Sequence, residues 1–146
     1  MVDHERLDVE DLIAETWPLH GPYGEYETRN AVNGIYELVR YLNYTTQYRD
    51  GVPYPSIINA VAGGIGSAAG SLDQTLEQLI GQLQKFAADP NLYGDDQRDQ
   101  DLAHESGVRH AEQAIVKLSQ ARRDAHQLHR TLVEAGKHLG RLGVRD

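Results

Sequence analysis

The sequence contains no cysteine among its 146 residues. The chain therefore cannot form disulfides, thiolate metal sites, iron–sulfur clusters or a cysteine nucleophile. Basic residues are also scarce, since 14 Lys and Arg stand against 22 Asp and Glu and give a formal net charge of −8. This balance argues against nucleic acid as a partner, because nucleic-acid-binding proteins neutralise phosphates with a surplus of Lys and Arg.

A long hydrophobic run is missing as well. The first residues do not combine a basic start with an apolar run, which a secretory signal needs. The longest uncharged stretch, 51–72, has 22 residues, enough to cross a membrane, but it includes two prolines and five glycines. We therefore expect a cytoplasmic protein that does not enter a membrane.

The composition is otherwise that of one soluble domain. Hydrophobic residues make up 40% and charged residues 25%, which favours a globular over a disordered chain. Charge is polarised, with a net −6 over residues 1–30 and a net +3 over residues 111–146. Either the two ends of the chain lie against each other, or the basic end is a docking surface.

Helical periods dominate the pattern, and no segment shows sustained alternation of apolar and polar residues. A short helix is predicted over 8–17 with Asp8 as its N-cap, and longer helices over 23–48, from Pro55 to Asp89, and over 99–142. The third could be broken near Gly70. We predict an all-α fold, an antiparallel helical bundle of three long helical segments plus a short N-terminal helix, forming a single domain over 1–146.

Two apolar seams indicate a long antiparallel hairpin of the third and fourth helices. The third seam consists of Ile58, Val61, Ile65, Ala68, Leu72, Leu76, Leu79, Leu83 and Phe86. The fourth consists of Ala111, Ala114, Leu118, Ala121, Ala125, Leu128, Leu132, Ala135, Leu139 and Leu142. Small residues at Ala62, Gly66 and Gly70 predict a close approach of the two helices.

Seven of the eight tyrosines lie between residues 23 and 54. On the second helix, Tyr26, Tyr41, Tyr44 and Tyr48 project opposite the aliphatic face. Either the first helix covers these rings, or they form an interface with a second copy or another helical protein.

Basic residues form a stripe on the fourth helix, at Arg123, Arg130, Lys137 and Arg141. The stripe lies opposite the apolar seam. It is either a solvated outer face or a basic docking stripe.

No pattern predicts a catalytic, cofactor-binding or metal-binding residue. The segment 64–69 fits the glycine spacing of a dinucleotide site, but no alternation of strands and helices follows it. His126 and His129 have the spacing of two ligands on one helix, yet paired Glu-x-x-His motifs are missing. We therefore expect neither an enzyme nor a metalloprotein.

Three short segments, 38–43 (LVRYLN), 54–56 (YPS) and 72–74 (LDQ), carry a resemblance. With the small-residue run between the last two, they resemble a group of small helical proteins of unknown function from actinobacterial genomes. The resemblance covers most of 30–142, and it implies no activity and no functional residues.

Two functions fit these observations. The first is a non-enzymatic interaction or scaffold protein that self-associates through helical faces. The alternative is a small-ligand or regulatory binding module that uses the glycine-rich third helix and nearby tyrosines.

Overall fold

The computed structural model describes residues 8–145, which form four α-helices and no strand. The helices are α1 (Val9–Thr16), α2 (Glu25–Thr45), α3 (Pro55–Ala87) and α4 (Gln100–Leu139). The predicted all-α class is confirmed. α3 runs unbroken through Gly70, and α4 ends at Leu139, three residues before the predicted end.

Short polar side chains start two of the helices. Asp8 accepts a hydrogen bond from the Glu10 N–H at 3.0 Å, which confirms the predicted N-cap of α1. Asp99 accepts from the N–H groups of Asp101 and Leu102 at 3.0 and 3.1 Å and caps α4. These bonds satisfy backbone donors that have no partner within the helix.

The chain divides into two compact units, one ending at Pro53 and the other beginning at Tyr54. The predicted single domain over 1–146 stays a prediction. In the first unit the Trp17 indole donates to the Glu27 carbonyl at 3.1 Å, and its ring lies beside Gly34. α1 and α2 contain no buried residue.

In the second unit α3 and α4 pack as an antiparallel hairpin. The predicted close approach is confirmed at two glycines. A Cβ atom on Gly66 would lie 3.3 Å from the Leu132 Cβ, and one on Gly70 would lie 3.2 Å from the His129 Nδ1. The His129 Nδ1 also lies 2.7 Å from the Gly66 carbonyl oxygen. Small residues on α3 thus let side chains of α4 reach the opposite backbone.

The segment between the two helices lies on the first turns of α4. The Gly94 N–H donates to the Ala103 carbonyl at 2.7 Å, and the His104 Nδ1 lies 2.8 Å from the Leu92 carbonyl oxygen. A Cβ atom on Gly107 would come within 2.8 Å of the Tyr93 carbonyl carbon. Glycine at 107 therefore permits this close contact with the backbone.

Candidate interaction surfaces

One row of α3 faces α4, and we call it the seam. It consists of Asn59, Ala62, Gly66, Ala69, Asp73, Leu76, Ile80, Leu83 and Ala87, all buried or half-buried. Their spacing alternates between three and four residues, the period of two helices packed side by side. The first half of the seam has small or polar side chains, and aliphatic side chains begin at Leu76.

A second row of α3 is large, apolar and exposed, and we call it the α3 stripe. Its residues recur every seventh position and are 43–58% exposed: Ile58, Ile65, Leu72, Leu79 and Phe86. Each precedes a seam residue by one position. The stripe covers 29 residues of α3, and its first and last members are about 42 Å apart at the rise of an α-helix.

These exposures correct the predicted seams. The sequence pattern assigned all five stripe residues to the face toward α4, and it assigned Leu128 and Leu142 to the face toward α3. Leu128 is 46% exposed and Leu142 is 59% exposed. Two closely packed helices cover only a narrow apolar strip, and the large apolar residues of the stripe lie beside that strip on α3.

The flanks of the hairpin differ in chemistry. Contacts between Gly66 and Leu132 and between Asp73 and Arg122 set the register, and a heptad projection then places Leu128 on the same flank as the α3 stripe. The opposite flank of α3 carries Gly63, Gly70, Glu77 and Gln84. One side of the hairpin is thus apolar and the other is polar.

A charged cluster joins the helices on the polar flank. The Arg122 guanidinium donates to both carboxylate oxygens of Asp73, at 2.8 and 3.3 Å, and the His126 Nε2 lies 3.2 Å from Asp73 Oδ1. The hydrogen bond from Arg122 lowers the pKa of Asp73 against a smaller opposing effect of burial, and the charges of Arg122 and His126 lower it further. The same pair raises the pKa of Arg122. These contacts fix the register of the hairpin.

A second polar cluster lies where the connecting segment meets α4. Ser106 is 1% exposed and donates to Asp96 Oδ1 at 2.5 Å, and the His110 Nε2 lies 3.3 Å from Asp96 Oδ2. The hydrogen bonds from Ser106 and then His110 lower the pKa of Asp96. A catalytic triad needs the serine to donate to the histidine. Here the serine proton goes to the carboxylate and the hydroxyl is buried, so Ser106 is not placed as a nucleophile.

The two histidines with ligand spacing have separate partners. His126 contacts the Asp73 carboxylate and His129 contacts the Gly66 carbonyl. Within residues 8–145 no group of three or more His, Asp or Glu side chains could hold a metal ion.

The tyrosine surface of α2 is open to solvent. Tyr26, Tyr41, Tyr44 and Tyr48 are 59–75% exposed, so α1 does not cover them. The opposite, aliphatic face is open too, with Val32, Ile35, Leu38 and Val39 between 50 and 61% exposed. The role of the tyrosines at an interface stays a prediction.

The basic stripe of α4 is an exposed face with local partners. Arg123 donates to Gln120, Arg130 donates to Gln127, and Lys137 is 2.7 Å from Glu134. Each partner lies three residues earlier, so the contacts repeat every seven residues. Arg141 is exposed one turn further on. A docking role for the stripe stays a prediction.

The glycine-rich part of α3 has one filled and one open side. His129 and Leu132 fill the space beside Gly66 and Gly70, whereas no atom lies within 4 Å of a Cβ placed on Gly63 or Gly64. A small ligand at this helix, which stays a prediction, would have to use the open side.

No described helix has both the length and the hydropathy to cross a membrane. Comparisons with family models, with curated proteins and with solved structures find no match to this chain.

Proposed function

We propose that the protein is a non-enzymatic helical interaction protein of the cytoplasm that self-associates through the apolar flank of the α3–α4 hairpin. One observation carries the proposal: five large apolar residues, seven apart, are half exposed along the whole of α3. A helix whose apolar face extends beyond the row that contacts its neighbour is typical of bundles with more than two helices. A continuous apolar patch on a soluble protein marks an interaction site.

The polar clusters support an interaction role over a catalytic one. The Asp73 carboxylate is held by Arg122 and His126, and the Asp96 carboxylate is held by Ser106 and His110. Both clusters join one element of the hairpin to another. Their polar groups are used in holding the hairpin together, which makes it a rigid support for the α3 stripe.

The test is sedimentation velocity of the full chain over a concentration series. We expect a concentration-dependent dimer or larger assembly, and we expect Leu72→Asp to shift it to the monomer, because a carboxylate in the middle of the stripe would be desolvated on association. Gln78→Asp is the matched control, since it adds the same charge to an exposed position of the same helix off the stripe. A wild-type chain that stays monomeric at every concentration contradicts the proposal. Equal dissociation by both variants would place the interface elsewhere.

A further inference from the structure

We propose that the α3 stripe is covered by the α3 stripe of a second copy, with the two α3 helices antiparallel and the two Leu72 side chains facing each other on a twofold axis. The inference rests on the proposed self-association and adds the register of the contact. The product is a four-helix bundle made of two hairpins.

The spacing of the stripe sets this register. Its five residues are symmetric about Leu72, the third of the five. An antiparallel copy centred there brings Ile65 against the partner's Leu79 and Ile58 against the partner's Phe86. Every level of the contact then joins two large apolar side chains. A twofold interface requires a surface that complements itself, and this stripe meets that requirement.

Charge does not oppose the pairing, although the whole chain carries −8. α3 has only three charged residues, Asp73, Glu77 and Lys85, and none belongs to the stripe. The neighbouring row on the outer side of the stripe is uncharged: Val61, Ala68, Thr75 and Gln82. The α3 half of the face on which two copies would meet therefore carries no charged residue, whereas Glu77 lies on the opposite flank.

The size of the face is sufficient for a stable dimer. A flank about 42 Å long and two helices wide, about 19 Å, offers on the order of 800 Å² to a partner. Stable interfaces bury about 800 Å² on each side. The α4 half of the flank adds Leu128 and three half-buried alanines: Ala114, Ala121 and Ala135. Large residues on one helix beside small ones on the other leave room for the side chains of a second hairpin.

A different twofold arrangement would place α3 on α4 of the partner. In that arrangement the two Leu72 side chains lie on different helix pairs and do not meet. Disulfide trapping separates the two arrangements, because a disulfide forms only when the two Cα atoms come within about 7 Å. The chain has no cysteine of its own, so each introduced thiol reports one position.

The experiment oxidises single-cysteine variants of the full chain and measures the disulfide-linked dimer on a non-reducing gel. We expect Leu72→Cys alone to cross-link to near completion, at least tenfold above Gln78→Cys. Ile65→Cys and Leu79→Cys should each give only background alone but a linked heterodimer when mixed. Circular dichroism of each variant checks that the helices are intact.

The outcomes distinguish this inference from the proposed function. Efficient cross-linking of Ile65→Cys and Leu79→Cys each by itself would indicate a parallel pairing and overturn the inference. A sedimenting dimer in which Leu72→Cys links no better than Gln78→Cys also overturns it, yet leaves self-association in place. A wild-type chain that stays monomeric overturns both the antiparallel register and the proposed self-association, whatever binds the stripe in that case.

Discussion

Each stripe residue comes one position before a residue of the seam. In the first half of α3 the buried seam positions carry small side chains, and the exposed stripe positions carry large apolar ones. Gly66 is buried between the helices, and its neighbour Ile65 is 43% exposed. One turn further along α3, Ala69 in the seam is 3% exposed and Leu72 in the stripe is 43% exposed. The first half of this hairpin is therefore held together by close approach of the two backbones, while the large apolar side chains of the stripe lie on the exposed surface.

Close approach has a physical advantage for such a hairpin. Small residues bring α4 near enough for the His129 ring to reach the Gly66 carbonyl, a contact that a larger side chain at position 66 would block. Hydrogen bonds across a helix pair require specific geometry and so fix one register. The stripe, with no such constraint, is free to contribute to a second contact.

The largest effect on stability is expected from a large residue placed in the seam, where the two helices approach closely. We expect Gly66→Leu to destabilise the protein by about 3 kcal/mol, because even a Cβ atom would lie 3.3 Å from Leu132. Gly63→Leu, which meets open space on the same helix, should be neutral or stabilising by up to about 1 kcal/mol through helix propensity. Urea unfolding followed by circular dichroism measures both. Equal effects of the two variants would mean that close approach at Gly66 is not what holds the hairpin.

A second variant pair compares large side chains in the two rows. Leu76→Ala, in the seam, should cost about 2 kcal/mol at every protein concentration, the low end for a leucine that is not fully buried. Leu79→Ala, 49% exposed, should cost less than about 1 kcal/mol in dilute solution. Its cost should approach that of Leu76→Ala once the protein self-associates, because the stripe is then buried. A cost for Leu79→Ala that does not depend on concentration would argue that the stripe has no partner.

Apolar periodicity predicted the four helices, the residue type predicted the N-cap at Asp8, and the spacing of small residues predicted the close approach at Gly66 and Gly70. These features depend on local sequence or on side-chain size at fixed spacing. The assignment of the five stripe residues to the face toward α4 failed, because counting apolar positions does not tell which of the adjacent rows of α3 meets α4. The sizes of the side chains held the missing signal: a row of Asn59, Ala62 and Gly66 lies beside a row of Ile58 and Ile65.

The polar clusters were not predictable in the same way. Asp96 and Ser106 meet only because the connecting segment folds back onto α4, and no local pattern specifies that turn. Arg122 and Asp73 are 49 positions apart, and their contact depends on the hairpin register. Charged residues within an otherwise apolar period were the available hint, since Asp73 occupies a seam position.

A third variant pair measures how much a buried small polar side chain, Ser106, contributes to the stability of the hairpin. We expect Ser106→Ala to cost about 1 kcal/mol, the net value of a hydrogen bond whose acceptor, Asp96, remains partly accessible to water. Ser71→Ala, at an exposed position of α3, should change stability by less than about 0.5 kcal/mol. Thermal unfolding of the two variants at one concentration gives the difference. A neutral Ser106→Ala would show that the hydrogen bond to Asp96 makes no net contribution to stability.

The smallest effect we predict is a pH dependence at Asp73, the charged member of the seam. Its pKa is lowered from the ordinary value of 3.8, mainly by the Arg122 hydrogen bond, so the folded state favours the carboxylate. Such a group stabilises the protein above its unfolded pKa, and this contribution is lost as the pH falls below 3.8 through the folded value. The melting temperature of the wild type should therefore exceed that of Asp73→Asn at neutral pH, and the gap should close below about pH 4.

His126 and Glu77 also face this cluster, so the comparison is repeated with His126→Gln in both backgrounds. A pH dependence of the gap that is seen only when His126 is present would assign the effect to the histidine. A gap that persists unchanged to pH 3 would mean that Asp73 contributes by its shape and hydrogen bonding, without its charge, and the seam would then hold no electrostatic contribution at this position.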